Sequence, residues 1–230
     1  MADRHFVKYT FLRIDPAWRR LDADVRAEHK AEFLAACEDF GQGHMIQGFS
    51  LVGTRGDVDL MLVTEAENLD RIHEFHVVLA QSGLMGWATQ PYSFLGLRKS
   101  SEYSDDIRTA PRRFKGKYLF VYPFVKTREW YAKDAAERWR IMQEHIAVGR
   151  EYPTVDNHTT YSFGLDDQEF VVAFDTDDAS AFLDLVQRLR STEASAYTKR
   201  DTPSFTCVAL SVERALIALD GEALPVDLTL

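Results

Sequence analysis

Apolar and polar positions alternate through KYTFLRI from Lys8 and again through KYLFVYPFVK from Lys117, the period-two pattern of half-buried strands. Each strand runs into a helix-like stretch with a tryptophan near its start, Trp18 and Trp130. A second pair follows. GDVDLMLVTEAENLDRIHEFHVVLAQS begins at Gly56 and GLDDQEFVVAFDTDDASAFLDLVQRLRST at Gly164, each reading as turn, strand, acidic cap and amphipathic helix. Short apolar strands close the two stretches, YSFLGL at 92–97 and SFTCVAL at 204–210. Lys8 and Lys117 lie 109 residues apart, and Gly56 and Gly164 lie 108 apart, so the two copies keep register.

Each half reads β–α–β–β–α–β, the ferredoxin-like order, which predicts an α+β protein of two ferredoxin-like halves closing face to face. Strands are expected near 7–13, 46–53, 57–63 and 92–98, then 117–125, 158–164, 168–175 and 204–211. Helices are expected near 16–40, 67–82, 128–149 and 178–191. The expected organisation is an N-terminal half over 1–98, a polar linker over 99–116 with Pro111 and Gly116, and a C-terminal half over 117–211. Residues 212–230 are expected to be an exposed extension.

The 230 residues are 46% apolar and 27% charged, which excludes disorder, collagen and coiled coil and leaves enough chain for a core. No apolar run approaches the ~18 residues of a membrane span, and MADRHFVKYTFLRID carries charges where a signal peptide needs an apolar stretch. Cys37 and Cys207 stand far apart with no CxxC, so neither a zinc cluster nor a disulfide framework is indicated, and a cytoplasmic protein is expected. The net charge of −9 speaks against a nucleic-acid partner. Against that acidic background, Arg108, Arg112, Arg113, Lys115 and Lys117 form a basic island, either an anion site or a solvated linker.

Candidate chemistry lies where the two halves differ. Alternation puts Tyr118, Phe120, Tyr122, Phe124 and Lys126 on one strand face, with Tyr122 and Lys126 about 13 Å apart, the width of a flat macrocycle. Their first-half counterparts are Arg13 and Ala17, so the pair is absent there. On the following helix His145 shares an apolar stripe with Ile141 and Val148. It reads either as a core histidine or as the single neutral imidazole that a haem iron accepts. No H-E-x-x-H, facial triad, phosphate loop or G-x-S-x-G elbow occurs, and His73 and His76 read as packing residues.

Four segments together carry a family resemblance: KYLFVYPFVKTREWY at 117–131, MQEHIAVGREYP at 142–153, TTYSFGLDDQEFVVAF at 159–174, and LRSTEASAY with the TPSFTC that follows. The chain resembles the chlorite dismutase-like family, which includes chlorite dismutases and the coproheme decarboxylases, or HemQ proteins, of haem synthesis. The resemblance implies two ferredoxin-like (dimeric α+β barrel) halves per subunit, a homopentamer, and haem b or iron-coproporphyrin III held in the C-terminal half. It implies His145 as the proximal iron ligand and Lys126 as a propionate-binding residue. Tyr122 matches the tyrosine that becomes a radical in the decarboxylases, and Arg108 and Ser195 match positions that hold coproheme propionates. Where chlorite dismutases carry a distal arginine this chain has Asn157 or His158, without a fixed positive charge. The activity so implied is hydrogen peroxide-dependent decarboxylation of coproheme to haem b. The alternatives are chlorite dismutation or weak peroxidase action, and a non-catalytic haem-binding protein.

Overall fold

The structure, a computed structural model, describes residues 4–103 and 111–221. It is an α+β fold with antiparallel strand pairing throughout the registered pairs. The described residues form two compact units. One takes residues 4–95, 111–113 and 206–221; the other takes 96–103 and 114–205.

In the first unit, β1 (Phe6–Ile14), β2 (Met45–Ser50), β3 (Leu60–Ala66) and β4 (Ala88–Leu97) alternate with α1 (Ala23–Gly41) and α2 (Leu69–Leu79). The strands lie in the order β4, β1, β3, β2, and the end of β10 (Phe205–Leu210) adds to β2 through Val208, Ala209 and Leu210. The helix expected over 16–40 begins late. Pro16 opens a short 3-10 turn capped by Asp15, and Asp22 then caps α1 by accepting from the Asp24 N–H. Strand β3 also starts later than its alternation suggested. Asp59 at its entrance is buried, accepting from the Ile14 N–H at 2.8 Å and from Arg13 Nη1 at 2.9 Å.

The segment after β10 departs from the expected extension. Val212–Leu219 forms α6, whose Ala215, Leu216 and Leu219 enter the same core as Trp18, Phe33, Leu60 and Leu62. Asp220 anchors its end, accepting from Arg26 Nε at 2.8 Å and pairing with Lys30. Spacing at i, i+1 and i+4 gives this short helix one apolar face, which the polar residues after it obscure in the sequence.

In the second unit, β5 (Tyr118–Lys126) pairs along its length with β8 (Phe170–Thr176), and β9 (Thr198–Arg200) pairs with its last residues. The far edge of β8 carries two short strands, β6 (Asp156–Asn157) and β7 (Thr160–Tyr161), where one strand over 158–164 was expected. The helix expected over 128–149 is also divided. It breaks at Lys133 into α3 (Arg128–Ala132) and α4 (Ala135–Arg150), with Asp134 capping the second by accepting from the Glu137 N–H. Helix α5 (Ala179–Leu189) covers β8, with Phe182 stacked on Phe120 at 3.8 Å. Gly116 enters β5 against backbone: a Cβ there would meet Thr176 N at 2.4 Å. No helix among the described residues is long and apolar enough to cross a membrane.

The burial of α6 is open to test. Leu216, 2% exposed, should cost about 2–5 kcal/mol when replaced by Ala, read as a lower denaturation midpoint. A Leu216→Ala chain as stable as the wild type would place α6 outside the core.

Candidate functional site

Pairing register decides which side chains share a face. Tyr122 lies opposite Val172, and both Phe120 and Asn157 lie opposite Phe174, so these five residues occupy one face of the sheet. That face meets the helices: Tyr122 and Val172 pack against a cluster of Val148 from α4, Leu185 from α5 and Phe174. His145 stands on α4 between two contacts. Three residues after it, Val148 enters this cluster; four before it, Ile141 packs with Trp130 and Ala194. One helix stripe thus carries His145 between the Tyr122 cluster and the Trp130 cluster.

A 3-10 turn over Glu193–Tyr197 draws the remaining residues in. Lys126 is buried at 9% exposure, and its ammonium donates to the Ala194 carbonyl at 2.9 Å. It also sits over the Trp130 ring, 4.4 Å from the centroid. Ser195, half-buried, is the next residue of that turn. The turn is fastened to α4 by Arg140 to Glu193 at 2.9 Å and by the Glu193 N–H to Glu144 Oε2 at 3.2 Å. The structure therefore brings His145, Lys126 and Ser195 to one turn, with Tyr122 earlier on the strand that ends at Lys126.

The electrostatics of these groups follow from burial. His145 is pushed down to about 4, first by burial and then by the positive charge of Lys126, so its ring is neutral at ordinary pH. Its Nδ1 lies 3.5 Å from Thr192 Oγ1, and Nε2 has no hydrogen-bond partner among the described residues. A neutral imidazole with one free nitrogen is the form that ligates a metal. Burial lowers Lys126 to about 8, partly offset by Glu169. Burial raises the Tyr122 phenol well above its usual range, with Asp201 adding to the rise and Arg190 opposing it. The phenol has no hydrogen-bond partner among the described residues.

One of the expected site residues falls elsewhere, and another lies outside the described residues. His158 follows Asn157 and therefore turns to the other face, where it is 1% exposed. There its Nε2 meets Asp175 Oδ1 at 2.7 Å and Asp156 Oδ2 at 3.5 Å, and its ring lies against Phe114. Asp175 Oδ2 accepts from the Lys115 and Gly116 N–H groups at 2.6 and 2.7 Å. These bonds outweigh burial and hold the carboxyl below its usual range. His158 thus fastens the approach to β5, while Asn157, half-buried, is the one of the two on the Tyr122 face. Arg108 lies outside the described residues.

Sequence reasoning missed three contributors. Glu169 accepts from the Lys126 N–H at 2.7 Å and from the Tyr131 hydroxyl at 2.6 Å, fixing the end of β5. Arg190 and Asp201 form an ion pair whose charges act on Tyr122. Thr192 faces His145. The signal for the first was present, since Glu169 is an acidic residue inside the strand expected at 168–175. Thr192 depends on a turn held by a backbone carbonyl, and Arg190 and Asp201 meet only once α5 and β9 are folded.

A family model described as chlorite dismutase matches residues 26–210. A coproheme decarboxylase from Mycolicibacterium smegmatis is 32% identical over 201 residues, covering 86% of each chain. Among solved structures, chlorite dismutase from Candidatus Nitrospira defluvii in complex with imidazole superposes with a TM-score of 0.87 at 23% identity, covering 94% of this chain and 95% of its own. A haem-binding protein from Thermus thermophilus superposes at 0.84 with 26% identity and the same coverage. The match of the family model over most of the chain, with a relative at that identity, settles the classification: this chain belongs to the chlorite dismutase family.

Proposed function

We propose that the chain converts iron-coproporphyrin III to haem b by peroxide-dependent oxidative decarboxylation of two propionates, with Tyr122 as the residue that becomes a radical. The observation that carries this reading is a half-buried Tyr122 phenol packed in the Val148 cluster, together with a neutral His145 three residues before Val148 on α4, the phenol and the His145 Nε2 both without a hydrogen-bond partner among the described residues. The 32% identical relative described as a coproheme decarboxylase supports it. The residues present fit an iron porphyrin. His145 offers a neutral nitrogen to the metal, while Lys126 and Ser195 offer an ammonium and a hydroxyl to propionate carboxylates.

His145 would hold the iron porphyrin, which when bound would supply the redox chemistry for reducing peroxide and oxidising Tyr122. Held fully protonated by burial, Tyr122 gives up its electron and proton together. The phenoxyl oxygen then takes a hydrogen atom from the β-carbon of a propionate. Loss of CO2 and of a second electron would leave a vinyl group; the two electrons and two protons removed from each propionic acid side chain reduce one peroxide to two waters, so each round balances as RCH2CH2COOH + H2O2 → RCH=CH2 + CO2 + 2 H2O. Lys126 and Ser195 set which carboxylate is held and hence which β-carbon faces the phenol, where small misplacement is costly. Asn157, on the same face, is assigned the peroxide contact in this reading; its Oδ1 already accepts from the Thr159 N–H and hydroxyl at 2.8 and 2.7 Å. The proposal includes two ferredoxin-like halves per subunit, a homopentamer and a cytoplasmic location.

Porphyrin mass tests it. Ferric coproheme bound to the chain and titrated with peroxide should lose CO2 and two hydrogens twice, and Tyr122→Phe should bind coproheme without loss. Haem b formed by Tyr122→Phe at the wild-type rate would contradict the role of Tyr122. Binding without mass loss by the wild type would instead point to chlorite as the next substrate.

The Lys126 ammonium gives a pH signature. A cation lowered to about 8 loses its charge as pH rises through that value, so its attraction for a carboxylate is present below and lost above. Coproheme affinity should fall by up to about 10-fold per pH unit above that point, and Lys126→Met should remove the step. An affinity flat from about pH 7 to about 9.5 in the wild type would show that Lys126 holds no propionate.

A further inference from the structure

We infer that Thr192 is a positioning residue that fixes the tautomer of His145, placing the ring hydrogen on Nδ1 and leaving Nε2 as a bare lone pair. The assignment follows from donor accounting. Thr192 is buried, and its Oγ1 lies 2.7 Å from the Leu189 carbonyl oxygen. A hydroxyl has one hydrogen and a carbonyl only accepts, so that hydrogen goes to Leu189. Toward His145 the hydroxyl can then only accept. In this contact the facing atom, Nδ1 at 3.5 Å, is therefore assigned as the donor. A neutral imidazole carries a single ring hydrogen, so Nε2 is bare.

The other half of the molecule supplies a contrast. On α2, His76 Nδ1 lies 2.8 Å from the Ile72 carbonyl of its own helix, and its Nε2 lies 2.8 Å from Thr10 Oγ1. Both nitrogens of His76 are engaged and nothing is left for a ligand. His145 turns instead to a hydroxyl on a neighbouring turn, and among the described residues only one of its nitrogens is engaged. At 3.5 Å the contact is weak, yet choosing between two tautomers of similar energy requires little. Histidine in water prefers hydrogen on Nε2, so the hydroxyl reverses the solution preference. Its position is set close to His145, because the turn is tied to α4 through Arg140 and Glu144, five residues and one residue before that histidine. Partners of this kind fix ring orientation in metal sites generally.

The inference concerns the ligand-free chain and rests on the proposed function only for what Nε2 then binds. It is tested by long-range proton–nitrogen correlation of the His145 ring in ligand-free protein at neutral pH. Wild type should show hydrogen on Nδ1 and a bare Nε2. Thr192→Val, which cannot accept, should shift the ring toward the Nε2-hydrogen form, and Thr192→Ser should restore the wild-type pattern. In the loaded protein Thr192→Val should weaken ferric coproheme binding about 10-fold. A wild-type ring with its hydrogen on Nε2 overturns the inference without any variant, and so does a folded Thr192→Val with an unchanged tautomer. A wild type with the expected tautomer that fails to ligate ferric coproheme would retain the inference and sink the proposed function.

Discussion

A buried ammonium must find acceptors, and most of the candidate site depends on how Lys126 finds them. Its Nζ donates to the Ala194 carbonyl and lies over the Trp130 ring. That bond clasps the Glu193–Tyr197 turn to the end of β5; the same turn contains Ser195, and Thr192 at its N-terminal cap faces His145. The charge of Lys126 then acts back on His145, reinforcing burial in keeping the ring neutral. One cation thereby organises the turn, and the turn organises the imidazole. The first half, with Ala17 where the second has Lys126, lacks that cation, and Ala36 and Cys37 stand where the repeat would place His145; His76, on a different helix, is closed by two hydrogen bonds.

Tyr122 belongs to the same arrangement through the sheet rather than the turn. Its place opposite Val172 puts it on the helix-facing side, where burial keeps the phenol protonated and no described side chain takes its hydrogen bond. Asn157 shares that side and His158 does not, a distinction of one residue in a strand only two residues long. The cost of turning His158 inward is met by Asp175, which also accepts two backbone N–H groups at the approach to β5.

Much of this was legible in the sequence because it depends on period and side-chain type. The duplicated strand and helix order, the position of His145 on the Ile141–Val148 stripe and the absence of Lys126 and Tyr122 from the first half all follow from spacing. What stayed hidden depends on groups every residue has, or on single-residue register. Ala194 contributes a carbonyl, which no composition reveals. Asp22 and Asp134 each end one helical stretch and start another, and their capping role shows only when their oxygens meet N–H groups. The choice between Asn157 and His158 needed the pairing with Phe174. The core role of Ala215, Leu216 and Leu219 was masked by a helix too short for its apolar face to stand out.

The central claim is that a neutral His145, made available through the turn that Lys126 holds, is the iron ligand. Replacing it by glycine leaves a hole the size of an imidazole, and free imidazole can be added back. The absorption spectrum of ferric coproheme bound to His145→Gly, with and without imidazole, is therefore the most direct measurement. The account expects the variant to lose the wild-type ligation spectrum and peroxide-dependent turnover, with added imidazole restoring the spectrum. A His145→Gly chain that binds ferric coproheme with the wild-type spectrum and reacts at the wild-type rate would contradict it.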